Sequence, residues 1–301
     1  MKTEIKNLLV PTDFSPKAEN ALKIAAEMAR RHHAKLIIVH IVHTFHLIDR
    51  GGKQVIGAKT VEENLDNAHH ALEEIQNRIL AEYQLEVETY ISVQNVIDTV
   101  NDFVEKLDVD LVVLGTSGQQ RFKDFLVGSN SYNMLLYSNC SVLLIPENFS
   151  KTSFKNILFP VRVEHELEQK VQLSLLIANK NEGKIYLLGV GKTETIQNMK
   201  KVYGEINKKM FLNAINYEAD FKICEDSAEV ISQEALDKNC DLILLADEDE
   251  NSWKSFLADN FFKKMINKTD IPLLFVKSKL DKITQSEEST QNYDLTLPIP
   301  G

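Results

Sequence analysis

Asp110-Leu-Val-Val-Leu-Gly-Thr-Ser-Gly118, then nine residues, then Gly128-Ser-Asn130 is the stretch that gives the chain its architecture. Leu111 to Leu114 form a short unbroken apolar run, the pattern of a central parallel strand covered by helices on both faces. Glycines begin where that run ends. In open α/β sheets ligands bind at the carboxyl ends of strands, and a residue without Cβ lets backbone N–H groups come close to phosphate oxygens. Gly128 and Ser129 then open an amphipathic segment, and the unpaired amides and positive dipole end of such a helix favour an anion. The expected order is strand, phosphate loop, helix. A glycine-bearing loop after a strand is also a common tight turn, and that plainer reading stands beside the first.

Spacing separates this loop from better-known ones. A Walker loop needs Gly, four residues, then Gly-Lys-Ser/Thr, and the dinucleotide fingerprint needs G-x-G-x-x-G at the first strand-to-helix turn. Neither occurs. Gly191-Lys-Thr193 matches half of a Walker loop, but Tyr186 stands where its first glycine belongs, within an apparent strand, so the segment reads as a strand exit. The pattern G-x2-G-x9-G-S, taken with Val10-Pro-Thr-Asp13, resembles the nucleotide-binding signature of the universal stress protein family. Lys6-Asn-Leu-Leu-Val-Pro-Thr-Asp-Phe-Ser15, Val39-His-Ile41 and Cys140-Ser-Val-Leu-Leu-Ile-Pro146 are similar to the family's pattern, in the family's order.

The resemblance implies an α/β fold of the adenine nucleotide alpha hydrolase-like kind, binding ATP, ADP or AMP, with or without Mg. It places the nucleotide against Pro11, Thr12, Asp13, Ile41, Gly115, Thr116, Ser117, Gly118, Gly128, Ser129 and Asn130. Asp13 would lie beside the nucleotide, Ile41 would lend backbone contacts to adenine, and Ser129 and Asn130 would bond the terminal phosphates. Asp13 and Ile41 both stand at strand ends on the rim that carries Gly115, which suits a flat base at the switch point of the sheet. Asp13 also fits a helix N-cap in Asp-x-Ser-Pro. Arg121 and Lys123 are either countercharge for phosphate or simply solvated. The family's glycine after the third strand is absent; the stretch is Val93-Gln-Asn-Val-Ile97, and Asn95 is expected to take the left-handed conformation instead. Asn130 departs from the small or β-branched residue usual after the Gly-Ser pair.

Composition sets the bounds. The chain has 301 residues, 44% hydrophobic and 26% charged, which is ordinary for globular proteins and large enough for two cores. No window has the apolar length of a membrane span, and Met1-Lys-Thr-Glu-Ile-Lys6 has no signal-peptide pattern, so a cytoplasmic location and no membrane partner are expected. Cys140, Cys224 and Cys240 are odd in number and widely spaced, and read as core thiols. A net charge of −10, without basic residues interleaved with aromatics, argues against nucleic acid as a ligand.

Strands are expected near residues 5–11, 35–42, 85–93, 109–114 and 141–146, with helices between them. Ser15-Pro16 caps the first helix, and Thr60-Val-Glu-Glu63 reads as a capping box opening the second. A second round repeats the first. Lys155-Asn-Ile-Leu-Phe-Pro160 lies 149 positions after Lys6-Asn-Leu-Leu-Val-Pro11, and Lys184-Ile-Tyr-Leu-Leu188 lies 149 after Lys35-Leu-Ile-Ile-Val39. Asp241-Leu-Ile-Leu-Leu245 follows Asp110-Leu-Val-Val-Leu114 by only 131, as Pro272-Leu-Leu-Phe-Val276 follows Ser141-Val-Leu-Leu-Ile145. The second copy is therefore shorter by 18, lost between its second strand and second helix, where the first copy carries Gly51-Gly52. The expected fold is two tandem doubly wound domains with mostly parallel five-stranded sheets: 1–148 with the nucleotide motif, 149–279 degenerate, and 280–301 a polar tail. The family resemblance further implies that the last strands of the two copies, Val142 to Ile145 and Leu273 to Val276, would pair edge to edge as an intramolecular pseudo-dimer, with a further homodimer open.

In the second copy Ala246, Asp249, Asp259 and Asn260 replace Gly115, Gly118, Gly128 and Ser129, and Arg162 replaces Asp13. Carboxylates would repel phosphate, so this copy should not bind ATP. Asp247-Glu-Asp-Glu250 with Asp259 is a solvated acidic loop or a divalent-cation site. His40, His43 and His46 would not converge on zinc from an extended strand, and read as solvated; His69 and His70 read as an exposed helix face. No nucleophile, metal set or carboxylate pair accompanies the loop, so hydrolysis would be slow at most. The expected function is a stress-linked sensor or regulator that binds adenine nucleotide. The alternatives are a slow ATPase and a nucleotide-free interaction scaffold. An ATP-pyrophosphate ligase is disfavoured because Pro11-Thr-Asp-Phe-Ser15 lacks the glycines of that motif. The tail, ending Leu295-Thr-Leu-Pro-Ile-Pro300, is disordered or docks as an extended peptide.

Overall fold

The computed structural model describes residues 4–42, 47–48, 54–55, 58–117, 129–162, 168–194, 196–213, 215–246 and 261–277. The chain runs β1 (Asn7–Thr12), α1 (Pro16–His32), β2 (Lys35–Ile41), a short antiparallel pair β3 (Leu47–Ile48) and β4 (Gln54–Val55), α2 (Ala58–Tyr83), β5 (Val87–Ser92), α3 (Val96–Lys106), β6 (Leu111–Thr116), α4 (Ser129–Tyr137) and β7 (Ser141–Pro146). It then repeats as β8 (Asn156–Val161), α5 (Glu168–Asn181), β9 (Lys184–Gly191), α6 (Ile196–Leu212), β10 (Tyr217–Ile223), α7 (Ser227–Asp237), β11 (Leu242–Ala246), α8 (Phe261–Lys268) and β12 (Leu273–Val276). Ten strands form one sheet in the order β10-β9-β8-β11-β12-β7-β6-β1-β2-β5. Every pairing in it is parallel except that of β12 with β7.

The antiparallel seam has a self-complementary register. Leu274 pairs with Leu143, 131 positions earlier, which is the same offset that relates Asp241 to Asp110. Leu273 with Leu144 and Phe275 with Val142 flank it. Asp110 and Asp241 also do the same job in their halves. The Asp110 carboxylate accepts from the Lys6 and Asn7 amides at 2.7 and 3.0 Å, and that of Asp241 accepts from Lys155 and Asn156 at 2.9 Å each. Each carboxylate thus fixes the start of the central strand.

The core is divided by the sheet. One buried cluster joins α1, α2, α5 and α6 over one face; the other joins α3, α4, α7 and α8 over the opposite face. Among the described residues the two buried clusters are divided by sheet face and not by half of the chain, unlike the one core per domain expected from length, because the sheet continues across the seam. The inner face of α1 carries Ala18, Ala21, Ala25, Ala26 and Ala29, all buried, so this helix lies close to the strands. Ser15 caps it, its hydroxyl accepting from the Ala18 amide at 3.4 Å, and His33 closes it in the left-handed region at φ 55°.

Three local expectations are corrected. Thr60 does not cap α2, which begins at Ala58; Ala58 and Lys59 are good helix formers and extend the helix past the proposed box. Asn95 is not left-handed but extended, at φ −69° and ψ 160°, and its side chain caps α3 by accepting from the Asp98 amide at 3.0 Å. His40 is not a solvated loop residue: it is half-buried within β2.

Proline shapes the rim. The Lys6 carbonyl accepts from Lys35 of β2 and the Asn7 carbonyl from Asp110 beside β6, so odd-numbered residues of β1 face β6. Pro11 is odd, and has no N–H to continue that ladder. Pairing of β1 with β6 stops at Leu9–Val112, whereas pairing with β2 runs on to Thr12–His40. A crevice opens between β1 and β6 at their carboxyl ends. Pro160 repeats the arrangement between β8 and β11.

Candidate functional site

At the exit of β1 the chain makes a tight, polar turn. The buried Thr12 hydroxyl accepts from the Phe14 amide at 3.1 Å, and Phe14 itself is left-handed at φ 58°. Such a conformation is uncommon for a bulky residue and costs of order 1–3 kcal/mol, so the surrounding contacts must hold it. His40 supplies two of them. Its Nδ1–H donates to the Thr12 carbonyl at 2.8 Å, and its ring stacks on Phe14 with centroids 4.3 Å apart at 25°. Asp13 accepts from both the amide of Ser15, at 3.1 Å, and its hydroxyl. Asp13 is thus not the helix cap; it orients the serine that is. Burial raises the Asp13 pKa, but hydrogen bonds from the Ser15 hydroxyl and amide and the charge of Lys17 outweigh it and hold the carboxyl below its ordinary value. Lys17 Nζ lies 3.8 Å from the Asp13 carboxylate.

Across the crevice stands Gly115, inside β6 rather than after it. A Cβ there would lie 2.1 Å from the Lys17 carbonyl oxygen and 2.9 Å from the Ala18 nitrogen. This glycine is needed because the first turn of α1 presses on the strand. Pro11, Thr12, Asp13, Ile41 and Gly115 line one cleft of about 140 Å³, together with Lys17, Ala18, Val96, Leu114 and Ser131. Thr116 ends β6, its carbonyl accepting from the Glu147 amide at 2.8 Å, and Ser117 follows, half-buried. Gly118 and Gly128, with Arg121 and Lys123, lie outside the described residues. Ser129 and Asn130 form the first turn of α4.

The cleft is polarised. Ile41 comes from β2, and Val96 from the helix that follows β5, the neighbour of β2. Gly115 and Ser131 come from β6 and the helix after it, and α1, which carries Lys17, packs mainly over β6, β1 and β7 and also touches β2. One end is apolar; the other carries the cation and the glycine. The sequence did not single out Lys17, Val96 or Ser131. Lys17 was within reach, since it stands one helical turn beyond Asp13.

The second copy has a cleft of about 200 Å³ in the same place. Arg162 and Val190 line it 149 positions after Asp13 and Ile41, and Ser227 131 after Val96. Its chemistry differs. The Arg162 guanidinium lies over the Phe261 ring at 3.7 Å, Lys264 reaches Asp226 at 3.4 Å, and Lys192 reaches Glu225 at 3.7 Å. Beneath it Lys170 replaces Ala21 and donates to the Pro160 carbonyl at 2.5 Å from a buried position. Cys224 also lines this cleft, half-buried, while Cys140 and Cys240 are buried. The acidic residues 247–250 and Asp259, and His43 and His46, lie outside the described residues. Among the described residues no group of three or more His, Cys, Asp or Glu is placed to hold a metal ion, and no helix is long and apolar enough to cross a membrane. His69 and His70 are exposed on α2.

A sequence profile of the universal stress protein family matches residues 4–146. A universal stress protein of Staphylococcus haemolyticus is 32% identical over 160 residues, which span 48% of this chain and 89% of that protein. Universal stress protein A homolog 1 of Coxiella burnetii is 28% identical over 142 residues, 46% of this chain and 95% of its own length. A crystal structure of a universal stress protein from Archaeoglobus fulgidus covers 90% of this chain and 98% of its own, with TM-score 0.72 at 15% identity, a likeness of fold.

Proposed function

The chain belongs to the universal stress protein family, and from that premise we propose that it binds one adenine nucleotide, ATP, ADP or AMP, with or without Mg, in the first-copy cleft. The observation that carries this reading is the meeting of Pro11, Thr12, Asp13, Ile41 and Gly115 around one cleft, apolar at the β2 end, with Lys17 beside Asp13 at the end where β1 and β6 diverge. A flat base suits the first end and phosphate the second. Gly115 to Gly118 and the segment Gly128-Ser-Asn130 would complete the phosphate contacts.

In this reading residues 1–148 form the binding domain and 149–279 a degenerate tandem copy, the two making a pseudo-dimer across the β7–β12 seam, with 280–301 as a tail. Arg162 stacked on Phe261, where the first copy has Asp13 and Asn130, supports a second cleft that takes no nucleotide. In this reading the chain acts as a cytoplasmic, stress-linked sensor or regulator, with slow hydrolysis at most. Isothermal titration with ATP, ADP and AMP tests it: one site per chain is expected for at least one of them. Two equivalent sites, or no heat for any of the three, would overturn it.

A further inference from the structure

We infer that Lys17 sets a preference for phosphorylated over unphosphorylated adenine ligands, an inference that rests on the reading of this cleft as a nucleotide site. Among the described residues lining the cleft, Lys17 carries the positive charge and Asp13 the negative one. The Lys17 backbone is fixed, its carbonyl 2.1 Å from where a Cβ on Gly115 would lie, and its side chain lines the cleft beside Asp13. Its ammonium is held only loosely. The contact with Asp13 is 3.8 Å long, between side chains 37% and 59% exposed, and pairs of this kind contribute little. Asp13 does not depend on it, because the Ser15 amide and hydroxyl hold the carboxylate. A phosphate at the β6 end of the cleft can therefore recruit the ammonium from Asp13 at small cost, and gains a charge-assisted contact. Adenosine, which ends at the ribose, gains nothing from it. The second copy reverses this pair in sequence, with Arg162 at the place of Asp13 and Glu166 at that of Lys17.

The test compares wild-type protein with Lys17→Gln, Lys17→Arg and, as a control six residues along the same helix, Lys23→Gln. Affinities for adenosine, AMP and ATP are measured by calorimetry at low and high salt. Lys17→Gln should weaken AMP and ATP about tenfold and flatten their salt dependence, while adenosine is unchanged. Lys17→Arg should restore most of the loss, and Lys23→Gln should do nothing. Equal weakening of all three ligands, or no weakening of any, would overturn the role of Lys17 and leave the nucleotide site standing. A wild-type chain that binds none of the three would overturn both together.

Discussion

Gly115 shows how a residue singled out in the sequence can also carry a packing role that the sequence does not reveal. Gly115 reads as a place where backbone approaches phosphate; the structure gives it a packing reason, the carbonyl of Lys17 at 2.1 Å from a would-be Cβ. Gly115→Ala must push α1 off β6, and overpacking of this kind costs about 2 kcal/mol. A urea titration should show the midpoint fall, and an unchanged midpoint would mean the helix backs off freely. Gly118→Asp is expected to differ: if Gly118 contacts phosphate as proposed, the substitution should abolish ATP binding with circular dichroism unchanged, because it would put a carboxylate beside the phosphate. Unchanged affinity would place the ligand elsewhere. His32 offers a pH test that sequence does not suggest. It is buried at the end of α1, neither ring nitrogen has a partner among the described residues, and burial, with the charges of Lys180, Arg31 and His33, pushes its pKa down to about 4. The unfolded chain takes up a proton below about 6.5 and the folded chain only below about 4, so stability is full above that window and falls as pH drops through it, by about 3 kcal/mol in all. His32→Asn, which copies Asn181 at the equivalent place 149 positions on, should remove that slope in thermal melts between pH 7 and pH 4. A slope that survives the substitution would assign it to other groups.

Elements were read with greater success than their ends. The buried runs Leu8–Val10, Leu36–Val39 and Leu111–Leu114 have the continuous apolar pattern of central strands, and each is one. Ends depend on capping contacts that a single sequence leaves ambiguous. Thr60 has the right spacing for a box and stands inside α2; Asn95 has the right identity for a left-handed turn and caps α3 instead. The Asn95 assignment is directly testable. An extended cap predicts that Asn95→Ala costs about 1 kcal/mol and that Asn95→Gly costs a few tenths, whereas a left-handed residue there would be stabilised by glycine. Denaturant melts of the two variants decide between them. The crevice itself came from an element-level effect not anticipated from the sequence: Pro11 faces β6, and one missing amide ends the ladder that would have closed the site.

At the scale of the molecule, the family resemblance implied pairing of the last strands, the repeat offsets located them, and the Leu143–Leu274 register bears the same offset as the sequence repeat. They did not foretell that each core would run through both copies, since offsets carry no information on which face a helix takes. The self-complementary seam makes a prediction for the fragment 1–148. With β12 removed, the edge of β7 is bare, and a second fragment can pair with it about Leu143. Sedimentation should find a dimer; a folded monomer would mean the seam needs more than strand pairing. The location of the ligand is the point on which all else rests. Photo-crosslinking of the full chain with an 8-azido analogue of ATP, followed by peptide mapping, reads it out. Label should appear once per chain, competed by ATP, in peptides holding Ile41 or Val96 at the apolar end of the first cleft. Label in the peptides of Val190 or Ser227, alone or equally with the first set, would place the nucleotide in the cleft where Arg162 stacks on Phe261 and refute the assignment.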